Sequence, residues 1–255
     1  MTAPTHHPLT ATAEKALRQD LAAAYRLAAR FGWDDTLYTH FSVRLPAPSG
    51  QERFLLNPFG LMFDEVRASD LIVVDILGHI VNGDAKYNPA GFTIHSAIHM
   101  ARADAHCVIH THTLAGMAVA AFDKGLLQLN QISAEFYEDV GYHPYEGVAT
   151  NLEERSRLQS ALGQRAALIL RHHGLLSVGS SVADAFYVMY YLNRACEIQL
   201  ACAQLASLGQ AAISEIPQPL SQHVRRQMVE AQPERALVWA AWLRQLERTD
   251  PDYKN

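Results

Sequence analysis

The sequence predicts one large α/β domain followed by a helical tail. The 255 residues, of which 49% are hydrophobic and 18% are charged, are typical of a single domain with a sizeable core. Helix-like and strand-like hydrophobic patterns alternate along the chain, without an internal repeat or a low-complexity segment. We expect a flexible N-terminus over residues 1–12, the domain over residues 13–210, and a tail over residues 211–255 that packs on the domain or on a neighbouring subunit.

The first part of the chain predicts one helix and four strands. Apolar residues recur at spacings of three and four from Ala13 to Arg30, which predicts an amphipathic helix that Gly32 ends. Strand-forming runs bounded by turn residues predict the four strands, over residues 38–45, 53–58, 72–75 and 79–81.

The middle of the chain carries a histidine-rich helix and a buried strand. Residues 92–102 have a helical pattern in which His95 and His99 are four apart. The segment lacks the glutamate of the HExxH metal-binding pattern, so we expect these two histidines to pack rather than to bind a metal. A buried strand is predicted over residues 106–113, followed by a small-residue helix over residues 114–122.

The last part of the chain predicts a loop-rich segment, a strand and helices. Residues 126–150 look irregular and are rich in Tyr, Glu and His, a composition typical of loops that border a site. An apolar strand over residues 166–176 contains a His-His-Gly corner. Ser181 can cap a long helix over residues 182–208, and residues 236–246 predict an amphipathic helix in the tail.

His110 and His112 are the best candidates for metal ligands. Residues two apart on a strand point to the same face, about 6.6 Å apart along the chain, so these two imidazoles can converge on one ion. The alternative is a pair of core histidines, each of which would need a hydrogen-bond partner. We expect a third ligand at the His-His-Gly corner, where spacing alone does not choose between His172 and His173.

These residues resemble the class II aldolase/adducin family. The His-x-His strand, the later His-His-Gly strand and the run Asn-Pro-Ala-Gly-Phe-Thr-Ile-His-Ser-Ala-Ile-His from Asn88 to His99 match that family over residues 15–210, most closely its adducin heads and their bacterial relatives. The resemblance implies three layers, with a central, mainly antiparallel sheet and helices on both sides. It also implies a homotetramer and one divalent metal ion bound by His110, His112 and His173, with zinc expected first and iron or manganese as alternatives.

Several positions depart from the sugar-phosphate aldolases of that family. By the same resemblance, Gly91 stands where those enzymes carry an acidic general base, and His40 stands where they carry an asparagine of the phosphate pocket. Phe59 and Gly60 stand at a Thr-Gly pair of that pocket, and no catalytic tyrosine is found near Gln131. An apolar ring disfavours a phosphate dianion, so a phosphorylated sugar is not expected. We expect Phe59, Gly60, Gly91 and Gln131 to contact a substrate of another kind.

Three functions follow from such a site. The first is a metal-dependent lyase that cleaves or decarboxylates a non-phosphorylated carbonyl or hydroxy acid through an enolate, with His40, Glu135 or Tyr137 transferring the proton. The second is an iron(II) oxygenase on the same three histidines, and the third is a non-catalytic, adducin-like binding module. Carbon–carbon cleavage without oxygen would indicate the first function, and loss of turnover without oxygen would indicate the second.

The composition indicates which class of partner and which cellular compartment to expect. The net charge is −5 and no basic run of five or more residues occurs, which favours a small-molecule partner over a nucleic acid. The sequence has no uninterrupted stretch of about 18 apolar residues, so we do not expect a membrane span. Residues 1–12 do not have the pattern of an export signal. Three cysteines without a CxxC pair suit a reducing compartment, so we expect the cytoplasm.

Overall fold

The computed structural model describes residues 8–46, 50–82, 85–209 and 212–255. Within these residues the strands are β1 (His40–Arg44), β2 (Arg53–Leu56), β3 (Ile72–Asp75), β4 (Ile80–Asn82), β5 (Cys107–Thr111), β6 (Val140–His143), β7 (Ala167–Leu170) and β8 (Gly174–Gly179). The α-helices are α1 (Pro8–Arg30), α2 (Pro89–Ala101), α3 (Leu114–Ala120), α4 (Gln131–Ala134), α5 (Arg155–Leu162), α6 (Val182–Ser207), α7 (Gln218–Glu230) and α8 (Arg235–Thr249). Over the described part of the chain, we find no helix with the length and apolarity needed to cross a bilayer.

The eight strands form one sheet in the order β4-β3-β2-β1-β5-β8-β7-β6. Every neighbouring pair of these described strands is antiparallel except β6 and β7, which are parallel. The predicted central, mainly antiparallel sheet is therefore confirmed. The two central neighbours, β1 and β5, place His40 directly opposite His110.

Helices cover both faces of the sheet, as predicted. On one face, Ile94 of α2 and Leu158 of α5 pack with Val108 of β5. On the other face, Ile109 packs in a second cluster that contains residues of α1, α6 and α8. Because β5 is buried on both faces, its apolar residues run without the alternation of a half-exposed strand.

The segment over residues 126–150, which was predicted to be irregular, contains helix α4 and strand β6. β6 pairs with β7 at the edge of the sheet. A side chain at Gly141 would place its Cβ only 2.1 Å from the carbonyl oxygen of Ala161. A glycine inside a strand weakens the local strand pattern, so pairing with β7 rather than local propensity decides this element.

Both ends of the described chain meet. Helix α1 begins at Pro8, before its predicted start at Ala13, and residues 1–7 of the predicted N-terminal segment lie outside the described residues. In the tail, Tyr253 is buried, and its carbonyl oxygen accepts a hydrogen bond of 2.9 Å from the backbone N–H of Ala68. Arg26 of α1 donates to Asp250 at 3.0 Å. The tail therefore contacts the domain of its own chain.

Candidate metal centre

Three histidine side chains converge at one end of the sheet. His110 lies on β5, His112 follows that strand, and His173 lies in the corner between β7 and β8. Each offers one ligand nitrogen, and these three atoms all lie within 4.8 Å of one another. The ring centroids of His110 and His112 are 4.7 Å apart, and that of His173 is 4.7 Å from the first and 4.8 Å from the second. Three imidazoles around one point are a ligand set that zinc and iron sites use.

The hydrogen bonds of these rings fit a bound cation. The Nδ1 of His110 donates to the carbonyl oxygen of Leu175 and the Nδ1 of His112 donates to a carboxylate oxygen of Asp35, each at 2.9 Å. A neutral imidazole that donates from Nδ1 carries a lone pair on Nε2. The two Nε2 atoms lie 2.9 Å apart, so their lone pairs face each other. A cation shared by both lone pairs would relieve this repulsion, and carbonyl or carboxylate partners on the other nitrogen are typical of metal-binding histidines.

Burial keeps two of these rings in the neutral form that binds a metal. It lowers the pKa of His110 well below its usual range, and it lowers the pKa of His173 to about 4. Near neutral pH both imidazoles therefore present lone pairs rather than protons to an ion.

The His-His-Gly corner brings His173, and not His172, to the cluster. His172 adopts a left-handed backbone conformation with φ of 56° and its side chain is exposed. Gly174 has no room for a side chain, because a Cβ would lie 2.4 Å from the carbonyl oxygen of Thr111. The close approach of β8 to β5 at this glycine places His173 beside His110, whereas spacing along the sequence left the choice open.

His40 lies beside the three histidines, and its ring packs against Gly91. Its ring centroid is 5.1 Å from that of His110, and it is 3% exposed. A Cβ added to Gly91 would lie 2.5 Å from Cδ2 of His40. The imidazole thus occupies the space next to the position where the resemblance places an acidic residue.

Two aromatic rings are exposed near this end of the sheet. Phe59 is 41% exposed and Tyr38, two residues before His40, is 54% exposed. Their ring centroids are 6.2 Å apart. Gly60 follows Phe59 with a φ of 125°, a conformation that favours glycine. The rings give an apolar surface beside the segment that leads into β1.

Gln131, Glu135 and Tyr137 do not join the cluster within one chain. Helix α4 contacts α6 and α7, and α6 packs on the face of the sheet opposite to His110. Glu135 is 3% exposed and pairs with Arg235 at 3.4 Å. Within one chain, the helix after residue 130 packs away from the three histidines, so the proton-transfer role predicted for Glu135 or Tyr137 stays a prediction.

The structure adds two residues that sequence reasoning did not assign to the site. Asp35, in the loop before β1, accepts a hydrogen bond from Nδ1 of His112. No local sequence pattern identifies Asp35 as a site residue. His143 ends β6 on the same face of the sheet as His110, and its Nε2 lies 3.0 Å from a carboxylate oxygen of Glu154. The Nδ1 of His143 is buried without a hydrogen-bond partner among the described residues. Only the composition of residues 126–150 indicated a site near this histidine.

Comparison with known proteins identifies the family. The model of the Class II Aldolase and Adducin N-terminal domain matches residues 19–200. The crystal structure of an aldolase II superfamily protein from Pseudomonas syringae superposes with a TM-score of 0.87 at 45% identity, over 100% of this chain and 98% of that one. The L-fuculose 1-phosphate aldolase from Glaciozyma antarctica gives a TM-score of 0.84 at 28% identity, over 99% and 97% of the two chains.

The same region is similar to adducin. Alpha-adducin of Mus musculus is 48% identical over 200 residues, which are 77% of this chain and 26% of the adducin. The span matched by the family model contains all eight strands of the described sheet and the three clustered histidines. The chain therefore belongs to the class II aldolase and adducin family.

Proposed function

We propose that the chain is a divalent-metal-dependent lyase that cleaves or decarboxylates a non-phosphorylated carbonyl or hydroxy acid. The observation that carries this proposal is the histidine cluster, in which His110, His112 and His173 direct ligand nitrogens at one point with His40 beside them. When bound there, a divalent ion polarises a carbonyl group and stabilises the negative charge of an enolate. Zinc is expected first, with iron and manganese as alternatives.

We assign proton transfer to His40. Its Nδ1 is engaged by Nε2 of His95 at 2.8 Å, which leaves its own Nε2 for a substrate. A general base must lie within hydrogen-bond reach of the proton that it removes, and His40 is adjacent to the ligand His110 on the next strand. Its fit against Gly91 supports the replacement of an acidic base by an imidazole.

The surroundings support a substrate without phosphate. The exposed rings of Tyr38 and Phe59 suit an apolar or aromatic group rather than a dianion. We therefore propose a different substrate from the phosphorylated sugar named for the Glaciozyma antarctica enzyme. Phe59, Gly60 and Gly91 are the residues that we expect to contact it.

Metal content tests the ligand set first. We expect mass spectrometry to find about one zinc, iron or manganese ion per chain in protein prepared without chelators or a histidine tag. His110→Ala and His173→Ala should lose the ion, whereas His172→Ala, at the exposed neighbouring position, should keep it. Loss of the ion in His172→Ala alone would contradict the assignment at the corner.

The reaction is tested by product analysis with and without oxygen. A panel of non-phosphorylated hydroxy and keto acids is incubated with the zinc-loaded, manganese-loaded and iron-loaded chain. Carbon–carbon cleavage that persists without oxygen and is lost in His40→Gln supports the lyase. Turnover only with iron and oxygen would reject the lyase in favour of an oxygenase. No turnover with any metal would favour a binding module related to the adducin heads.

We also propose that the chain forms a homotetramer. Large apolar side chains are exposed on the single chain, among them Leu114 at 80%, Val148 at 75% and Leu152 at 51%. Such residues are typical of surfaces that a second chain covers. A monomer at micromolar concentration in a sizing experiment would contradict this proposal.

A further inference from the structure

A continuous line of buried side chains leads away from His40 into the protein. Nδ1 of His40 lies 2.8 Å from Nε2 of His95, and Nδ1 of His95 lies 2.5 Å from the hydroxyl of Ser42. The same hydroxyl lies 2.8 Å from Nε2 of His99, whose Nδ1 lies 3.1 Å from the carbonyl oxygen of Ala105. None of the four side chains is more than 3% exposed. We call these four side chains and the Ala105 carbonyl the relay.

The backbone fold assembles the relay from two elements. His40 and Ser42 are two apart on β1 and therefore point to the same face of the sheet. His95 and His99 are four apart on α2 and therefore lie on the same side of the helix, which faces that strand. The HSAIH spacing, which lacks the glutamate of a metal-binding motif, is explained by this contact.

The last acceptor determines the direction of every hydrogen bond in the relay. A carbonyl oxygen can only accept, so His99 must donate from Nδ1, and as a neutral ring it then accepts at Nε2 from the hydroxyl of Ser42. A serine hydroxyl has one hydrogen, so Ser42 must accept from Nδ1 of His95. His95 then accepts at Nε2, and His40 must donate from Nδ1.

Charge at the inner end preserves this direction. The guanidinium of Arg44 donates to the carbonyl oxygens of His99 and Arg102. Burial, together with this nearby cation, lowers the pKa of His99 to about 3. A positively charged His99, which could donate from both nitrogens and reverse the bond to Ser42, is thereby disfavoured.

We propose that the relay holds His40 in the form that carries its proton on Nδ1, so that Nε2 is always the unprotonated nitrogen. A neutral imidazole in water mostly carries its proton on Nε2, so the relay imposes the less common form. His95, Ser42 and His99 are then positioning residues, and their catalytic consequence rests on the proposed role of His40 as a base. The form of His40 itself does not depend on that role.

Nitrogen NMR on the full chain tests the relay directly. The protein is labelled with ¹⁵N-histidine, kept metal-free, and measured in the solid state; the signals of His40 are identified by their loss in His40→Gln. In the wild type we expect the proton of His40 on Nδ1. In Ser42→Ala, which removes the central link, we expect a mixture of both forms, and Ser42→Thr, which keeps a hydroxyl, should restore the wild-type spectrum.

A second buried serine provides the matched control. Ser96 on α2 is as buried as Ser42, but its hydroxyl donates to the carbonyl oxygen of Phe92 within its own helix. Ser96→Ala should therefore leave the proton of His40 on Nδ1. If Ser42→Ala does not fold, His99→Leu breaks the same line farther from His40 and should give the same mixture.

The outcomes separate this inference from the proposed function. A wild-type His40 with its proton on Nε2, or a Ser42→Ala or His99→Leu spectrum identical to that of the wild type, would overturn the relay whatever the activity. A relay confirmed by NMR without carbon–carbon cleavage in any variant would leave the relay in place and reject the lyase. Where cleavage occurs, Ser42→Ala should lower kcat in proportion to the fraction of His40 that keeps a free Nε2, about twofold for an equal mixture, and leave KM unchanged.

Discussion

At the scale of single residues, the contact between Gly91 and His40 couples the helix to the site. Gly91 lies in the first turn of α2, where alanine would ordinarily stabilise a helix by about 1 kcal/mol. Here a Cβ would lie 2.5 Å from the ring of His40. Whether Gly91→Ala raises or lowers the free energy of unfolding therefore depends on which residue occupies position 40.

We predict that Gly91→Ala lowers the free energy of unfolding by about 1–3 kcal/mol, because the ring must move in a packed interior. In the background of His40→Ala, the same substitution should instead be neutral or stabilise by up to about 1 kcal/mol. Urea unfolding of the four proteins measures both values. Equal effects of Gly91→Ala in the two backgrounds would show that the contact with His40 does not determine the cost of this substitution.

Glu135 makes stability depend on pH. Burial raises the pKa of its carboxyl to about 7, against the pull of Arg235. Between the ordinary pKa of 4.5 and about 7, the folded chain keeps this proton while the unfolded chain loses it. The contribution of Glu135 to the free energy of unfolding therefore falls as the pH rises through that range, by about 3 kcal/mol in total.

We predict that Glu135→Gln removes this part of the pH dependence and unfolds at higher urea concentration than the wild type at pH 8. Below pH 4.5 the two proteins should have similar stability. Urea unfolding at pH 4.5, 6 and 8 measures the difference, and Glu153→Gln, a change at an exposed glutamate, serves as the control. An unchanged difference between wild type and Glu135→Gln over the three pH values would contradict the raised pKa.

At the scale of elements, the loop before β1 stores backbone strain next to the site. Thr39 has a φ of 69°, in the left-handed region that a β-branched residue rarely adopts. Its hydroxyl oxygen is buried and has no hydrogen-bond partner within the described chain. The same loop carries Asp35, which holds His112, and leads directly into His40. Strain of this kind is retained where a surrounding structure depends on it, as at functional sites.

We predict that Thr39→Gly raises the free energy of unfolding by about 1 kcal/mol, because glycine adopts this conformation without a steric cost. Thr39→Ala removes the same hydroxyl but keeps a Cβ, so it should give less than half of the gain. Thermal unfolding of both variants is the measurement. A lower midpoint for Thr39→Gly than for Thr39→Ala would show that the loop is not strained.

At the scale of the whole molecule, the C-terminal segment closes the domain against its first helix. Tyr253 is 2% exposed, and Arg26 reaches Asp250 across the chain termini. We predict that Tyr253→Ala lowers the free energy of unfolding by about 3 kcal/mol or more, as for other buried aromatic side chains. Lys254→Ala, which removes an exposed ion pair with Glu247, should cost less than about 1 kcal/mol.

Urea unfolding at two protein concentrations completes this test. If the tail packs on its own chain, the cost of Tyr253→Ala should not change with concentration. A cost that grows on dilution would show that Tyr253 stabilises contacts between chains instead.

Most elements of the fold were predictable because their signals are local. The helical period of α1 and the strand patterns of β1, β2 and β3 each extend over one segment of chain. Strand β6 and helix α4 were missed, since a glycine-containing edge strand is stabilised by its neighbour rather than by its own composition. The position of residues 131–137 could not be predicted either, because which face a short helix covers depends on long-range packing.

The sequence by itself determined the alternation of helices and strands and the pairing of His110 with His112 on one face, because a strand's period of two residues is a local property. Spacing left His172 and His173 open, and the family resemblance favoured His173, which the tertiary structure brings to the cluster. Only the tertiary structure decided that Asp35 holds His112 and that the helix carrying His95 lies against His40. These contacts join residues that lie 55 to 77 positions apart, such as His40 with His95 and Asp35 with His112. Over such separations no residue pattern specifies a distance, and the packing of the sheet against its helices does.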